Sequence, residues 1–70
     1  MRDLLISQQW WMFHNCTCGG SYKAKFKHPT KPGVQIHIRP NQNKWFYLQS
    51  NRIFAQGIGI DTLQTKLKEI

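Results

Sequence analysis

The chain has 70 residues and a formal net charge of +7 at pH 7, from ten Lys or Arg and three Asp or Glu residues. A chain of this length predicts one small domain, residues 1–70, that buries only roughly 60% of its unfolded surface. No segment reaches the about 18 apolar residues that span a membrane, and residues 1–6 are too short an apolar run for a signal peptide. We therefore expect a cytoplasmic protein with no membrane contact.

The charge is unevenly distributed along the chain. No acidic residue occurs between Leu4 and Ile60. The cations of that span are Lys23, Lys25, Lys27, Lys31, Arg39, Lys44 and Arg52. A basic field of this kind attracts polyanions such as nucleic acid or acidic protein surfaces. The alternative is that the charge only keeps a small protein soluble.

The N-terminal part of the chain contains two short apolar segments. Residues 3–9 fit a short helix capped by Asp3 or a buried strand, because a short apolar run does not separate the two, and we favour the helix. Residues 10–14 are rich in aromatic side chains and predict an extended segment. Residues 15–21 contain Gly19 and Gly20 and predict a loop.

Residues 21–39 alternate between apolar and polar side chains and predict a β-hairpin. The apolar positions are Tyr22, Ala24, Phe26, Val34, Ile36 and Ile38. The polar positions are Lys23, Lys25, Lys27, Gln35, His37 and Arg39. Residues 28–33 form the turn, since prolines fix φ and Gly33 tolerates positive φ. Pairing Phe26 with Val34 or with Ile36 keeps the apolar residues on one face.

Two more strands are predicted after the hairpin. Residues 40–43 form a turn, and residues 44–49 and 52–56 form strands joined by a tight turn at Ser50 and Asn51. Residues 57–60 contain two glycines and are expected to break the last strand. Short connections between consecutive strands indicate an antiparallel meander.

A C-terminal helix is predicted after this break. Asp61 is the expected N-cap, with Gln64 as its capping-box partner. Leu63, Leu67 and Ile70 form one apolar stripe, which should cover the apolar face of the sheet. The predicted fold is therefore α+β: a small antiparallel meander of four to five strands with this helix on one face and a short N-terminal helix.

The first candidate site is the basic face of the sheet. If Phe46 and Leu48 join the core, then Trp45 and Tyr47 lie on the opposite face. The predicted nucleic-acid-binding residues are then Lys23, Lys25, Lys27, His37, Arg39, Trp45 and Tyr47. Exposed aromatic rings among cations suit single-stranded nucleic acid, because bases stack on the rings and phosphates meet the cations. The alternatives are that Trp45 and Tyr47 pack under the N-terminal segment and that the lysines protect a strand edge.

The second candidate site is a zinc site. His14, Cys16 and Cys18, completed by His28 or His37, are the residue types that ligate zinc. The one-residue spacing of the cysteines and the lack of a second pair argue against it, so we expect no cofactor. In a cytoplasmic protein Cys16 and Cys18 are expected to be reduced thiols rather than a disulfide.

The third candidate is hydrolytic chemistry. The sequence offers no carboxylate pair and no Ser–His–Asp set, which argues against most hydrolase mechanisms. A metal-independent ribonuclease needs only a histidine among cations, and His37 is the best placed of His14, His28 and His37. We expect a protein that is not an enzyme.

Several short motifs resemble the central and final parts of HicA-type mRNA interferase toxins. They are Gly20-Ser21, Phe26-Lys27-His28-Pro29, Pro32-Gly33 before a strand, and Thr62-Leu63 opening a Lys-rich helix. The resemblance implies a double-stranded-RNA-binding-like α+β fold, RNA cleavage and an antitoxin partner. Tyr22 stands where this family has its active histidine, so no catalytic residue carries over.

The sequence thus predicts a small basic binding module that contacts nucleic acid, single-stranded or RNA, through its sheet. The alternative is an accessory or protein-interaction module that docks an acidic partner, and a HicA-like ribonuclease is the third hypothesis. A homodimer would be a plausible supplement to so small a core.

Overall fold

The computed structural model describes the backbone of all 70 residues and every side chain except that of Cys18. The helices and strands are α1 (Arg2–Ser7), β1 (Trp11–Cys16), β2 (Lys23–His28), β3 (Lys31–Arg39), β4 (Lys44–Gln49), β5 (Arg52–Ile58) and α2 (Ile60–Glu69). The five strands form one antiparallel sheet in sequence order. The predicted α+β fold is confirmed, including the C-terminal helix and the short N-terminal helix.

The turns between strands lie close to the predicted positions, but two of them are shorter than predicted. Phe26 lies opposite Ile36, one of the two registers expected for the hairpin. Its turn is shorter than predicted, because β3 begins at Lys31 and includes Pro32 and Gly33. Ser50 and Asn51 both have positive φ, 52° and 64°. Two left-handed residues match the twist of the flanking strands, which explains so tight a connection between β4 and β5.

The hydrophobic core lies between one face of the sheet and the two helices. Phe26, Ile36 and Ile38 are fully buried on the sheet. Leu5 of α1 and Leu63 of α2 are also fully buried and belong to the same cluster. Burial of such side chains contributes about 1.5–3 kcal/mol each. Leu67 and Ile70 also contact this core, as the predicted helical stripe required.

The junction between β5 and α2 differs from the prediction. β5 continues through Gly57 to Ile58 instead of ending at Gln56. The N-cap of α2 is Gly59, at φ 94°, and Asp61 lies inside the first turn without a side-chain capping bond. Gly59 reaches this backbone conformation without a side-chain clash, which lets the helix begin two residues earlier than an Asp61 cap would.

The two layers of the molecule differ in charge. All three acidic residues, Asp3, Asp61 and Glu69, lie in the helices. The strands contain no carboxylate and hold seven of the ten Lys and Arg residues. The sheet therefore presents a cationic face on the side away from the helices. In the part of the chain that the structure describes, neither helix has the length and apolar character needed to cross a bilayer.

Candidate nucleic-acid interface

The face of the sheet away from the helices, here called the open face, is defined by the register of the strands. Its central side chains are Lys23, Lys25, Lys27, Gln35, His37, Arg39, Lys44, Phe46 and Leu48. Lys25, His37 and Phe46 lie side by side on β2, β3 and β4. The predicted basic residues of β2 and β3 therefore do share one face.

The predicted orientation of β4 is wrong. Trp45 lies opposite Ile38 and Tyr47 opposite Ile36, so both rings are on the helix-covered face. Trp45 is 4% exposed and belongs to the core cluster. Tyr47 packs against the core, with Lys66 Nζ 4.9 Å from its ring centroid. Neither ring is available to stack on a base at the open face.

The surroundings of Trp45 explain why its ring faces the helices. The indole lies over Gly57, its partner on β5, where the missing side chain leaves room for the ring. Its Nε1 donates a hydrogen bond of 2.8 Å to the Thr62 hydroxyl. β4 is apolar in both phases of its alternation, so periodicity alone does not determine which face is buried.

Phe46 is the aromatic residue that β4 places on the open face. It is partly exposed, and the Arg39 guanidinium carbon lies 5.2 Å from its ring centroid. Lys23, Lys25, His37 and Ile53 are among the other residues that line a shallow cavity of about 320 Å³ over this pair. A flat ring beside a guanidinium offers two surfaces on which a nucleobase can stack.

The pKa of His37 reflects the burial and the positive charges around this cavity. Burial, then the charges of Lys25 and Arg39, and then His14, lower its pKa from 6.5 to about 4. The imidazole is therefore neutral at pH 7, and its Nε2–H donates to Gln35 Oε1 at 2.7 Å. Burial opposes a charge of either sign here, and the charges of Lys25 and Arg39 add a positive potential that favours an anion over a cation.

A second aromatic group lies on the open face at β1. The register between β1 and β2 shifts between Met12 and His14, which leaves Phe13 as an extra, bulged residue. The Trp11 and Phe13 rings meet edge to face at 6.1 Å, and Lys27 Nζ lies 4.5 Å from the Phe13 centroid. Trp11 is 50% exposed. Sequence reasoning missed this group because residues 10–13 are all apolar, so alternation does not show which of them face away from the core.

The turn end of the sheet extends the basic surface beyond Trp11. A second cavity, of about 460 Å³, is lined by Trp11, Lys27 and Lys31 together with the turn residues Ser50 and Asn51. It adjoins the open face through Lys27 and Gln35. The cationic surface therefore continues from the cavity over Phe46 to the end of the sheet.

The zinc candidates are not brought together among the side chains that the structure describes. His28 Nε2 lies 3.1 Å from the Gln8 carbonyl oxygen, and its Nδ1 accepts from the Thr30 backbone N–H at 3.2 Å. His14 lies opposite Lys25, on the edge strand β1. No group of three described His, Cys, Asp or Glu residues is arranged to hold a metal ion.

The expectation of a reduced thiol is wrong for Cys16, which is disulfide-bonded. The expectation came from the assumed compartment and took no account of local geometry. The zinc and thiol predictions for Cys18 fall on a side chain outside those that the structure describes.

Comparison with protein-family models, with curated proteins and with solved structures finds no match to this chain.

Proposed function

We propose that the open face binds single-stranded nucleic acid. The observation that carries the proposal is a five-stranded sheet whose uncovered face combines cations with partly exposed rings and has no carboxylate. Cations neutralise phosphates, and exposed rings stack on unpaired bases. A duplex keeps its bases stacked on each other, so the rings favour a single strand.

The spacing of the cations supports this proposal. Lys23, Lys25 and Lys27 alternate along β2, so the Cα atoms of neighbouring lysines are about 6.6 Å apart along the strand. This matches the separation of successive phosphates in an extended single strand. Lys27 and Lys25 therefore offer contacts to successive phosphates of a strand that crosses β2 obliquely.

The two aromatic groups set the length of the bound strand. Trp11 on β1 and Phe46 on β4 are three strands apart and offset along the strand direction, which separates them by about 16 Å. A strand that stacks a base on each ring must cross β2 and β3, where Lys25 and Arg39 meet its phosphates. We therefore expect tighter binding once an oligonucleotide is long enough to reach both rings.

Tryptophan fluorescence tests the proposal directly. Trp10 and Trp45 are 4% exposed and Trp11 is 50% exposed, so quenching by a bound base reports mainly on Trp11. Single-stranded RNA, single-stranded DNA and duplexes are titrated at several salt concentrations. We expect quenching by single strands and an affinity that falls steeply with salt.

A matched pair of charge variants decides whether the open face is the site. Lys25→Gln removes a cation from the open face, and Lys68→Gln removes one from exposed α2. Lys25→Gln should reduce the slope of log affinity against log salt concentration by about 1, the value for one lost phosphate contact. Lys68→Gln should leave this slope unchanged. Equal effects of the two variants, or no quenching at low salt, would contradict the proposal.

Binding of an acidic protein partner and ribonuclease activity both stay predictions. If oligonucleotides do not bind, the same face is expected to dock an acidic protein surface. Ribonuclease activity, with His37 as the candidate residue, predicts RNA cleavage without added metal that is lost in His37→Ala. A cytoplasmic location also stays a prediction, and it conflicts with a Cys16 disulfide because cytosolic thiols are kept reduced.

A further inference from the structure

β5 is an edge strand with an unusual side-chain composition. It pairs with β4 on one side only. Most of the large apolar side chains that are exposed lie on it or just beyond it: Ile53 at 60%, Phe54 at 64%, Ile58 at 63% and Ile60 at 46%. Its one charged residue is Arg52, at its first position. Edge strands are usually protected by charges, and an apolar edge is a template for another strand.

We infer that β5 pairs antiparallel with β5 of a second copy of this chain, about a two-fold axis at Gln56. An antiparallel pair of identical strands has this symmetry, in which each copy offers the same surface. Backbone N–H and C=O groups on the outer edge of one β5 then bond to those of the other.

The register centred on Gln56 keeps like faces together. Ala55 and Gly57, which both lie on the helix-covered side, are opposite each other across the axis. Ile58 lies opposite the irregular segment at Ile53 and Phe54, so apolar side chains meet apolar side chains. At the axis, Gln56 faces Gln56 of the second copy. An amide group both donates and accepts hydrogen bonds, so this pair is self-complementary.

The charge distribution favours a second copy over an acidic strand. The cations that would attract an acidic partner lie mainly on β2 and β3, while β5 offers Arg52 alone. In the antiparallel pair the two Arg52 residues lie at opposite ends of the seam, about 26 Å apart. The lysines of β2 are three strands from the seam, about 14 Å, so the dimer holds the two basic regions apart.

Sedimentation velocity over a wide concentration range tests the inference, independently of any nucleic acid. The double variant Phe54→Lys with Ile58→Lys changes two exposed side chains, so we expect it to fold, as circular dichroism would show. Four lysines would then meet at the seam, and the dimer Kd should rise at least about tenfold. Trp11→Lys is the matched control, because it adds a cation to the other edge strand and should leave the dimer intact.

A cysteine at the axis gives a second readout. In Gln56→Cys the two introduced thiols lie opposite each other and should form a disulfide-linked dimer under mild oxidation. Gln49→Cys, at the exposed end of β4, should link far more slowly. A wild-type protein that is monomeric throughout, a dimer lost in Trp11→Lys but kept in the double variant, or equal linking of both cysteine variants would overturn the inference.

Discussion

The indole of Trp45 and the hydroxyl of Thr62 form a 2.8 Å hydrogen bond that joins β4 to the first turn of α2. The same hydroxyl oxygen lies 2.8 Å from the carbonyl oxygens of Ile58 and Gly59, which share its single proton as acceptors. Thr62 thus satisfies the N–H of a buried indole and ties the end of β5 to the start of the helix. This arrangement orients Trp45 toward the helices and leaves Phe46 on the open face.

Thr62→Val should destabilise the fold. Valine keeps the branched shape but leaves the Trp45 N–H without its acceptor, and an unsatisfied buried donor costs about 1–3 kcal/mol. Urea unfolding followed by circular dichroism measures the loss of unfolding free energy. Thr62→Ser retains the hydroxyl and should recover most of it, whereas equal losses in both variants would show that the methyl group matters more than the hydrogen bond.

Gly57→Ala should also destabilise the fold, through the same indole. A Cβ at Gly57 would lie 2.6 Å from Cζ2 of Trp45, closer than van der Waals contact permits. The ring is buried and has little room to move, so we expect a cost of about 1–3 kcal/mol from overpacking. Gln49→Ala, at an exposed position of the neighbouring strand, is the control. An alanine tolerated at both positions would show that the indole relaxes freely.

Most of the fold could be predicted from the sequence because local patterns and turn chemistry agree. The strict alternation of β2 and β3 gives one apolar face, and Ser50-Asn51 marks a tight turn. The i, i+4 spacing of Leu63 and Leu67 identifies the buried stripe of α2. The helix start was missed because Asp61 has the chemistry of a cap, while Gly59 has the backbone freedom that this junction requires.

The candidate site could be predicted only in part. The cations of β2 and β3 were placed on one face by alternation, but β4 carries four consecutive apolar residues, 45–48, and alternation cannot orient it. Its orientation depends on the pairing of Trp45 with Gly57, which follows an irregularity in the register of β5. The position of Phe13 depends on a second irregularity, in β1. Bulges of this kind shift register without a sequence signal that period-two reasoning detects.

The stability of the fold should depend on pH through His37. Its pKa is lowered from 6.5 to about 4, first by burial and then by the charges of Lys25, Arg39 and His14. Between these values the unfolded chain binds more protons at His37 than the folded protein does. The unfolding free energy should therefore be highest above 6.5 and fall as the pH decreases toward about 4.

His37→Gln isolates this contribution. Glutamine does not titrate, so the variant should lose less stability than the wild type as the pH decreases through this range. Urea unfolding at a series of pH values, with each protein compared with itself at pH 7, gives the two slopes. Parallel slopes would show that other groups account for the acid sensitivity.

The two faces of β4 should contribute differently to the binding of a single-stranded oligonucleotide. Phe46→Leu removes the open-face ring but keeps an apolar side chain, and a lost stacking contact costs about 1–3 kcal/mol of binding free energy. Affinity for a single-stranded oligonucleotide should therefore fall about fivefold to 150-fold. Tyr47→Leu also removes a ring, from the helix-covered face, and should leave the affinity of the folded protein unchanged. Titrations by fluorescence anisotropy, after circular dichroism has shown that both variants fold, make the comparison. Loss of affinity in Tyr47→Leu but not in Phe46→Leu would mean that the ligand contacts the opposite face from the one proposed.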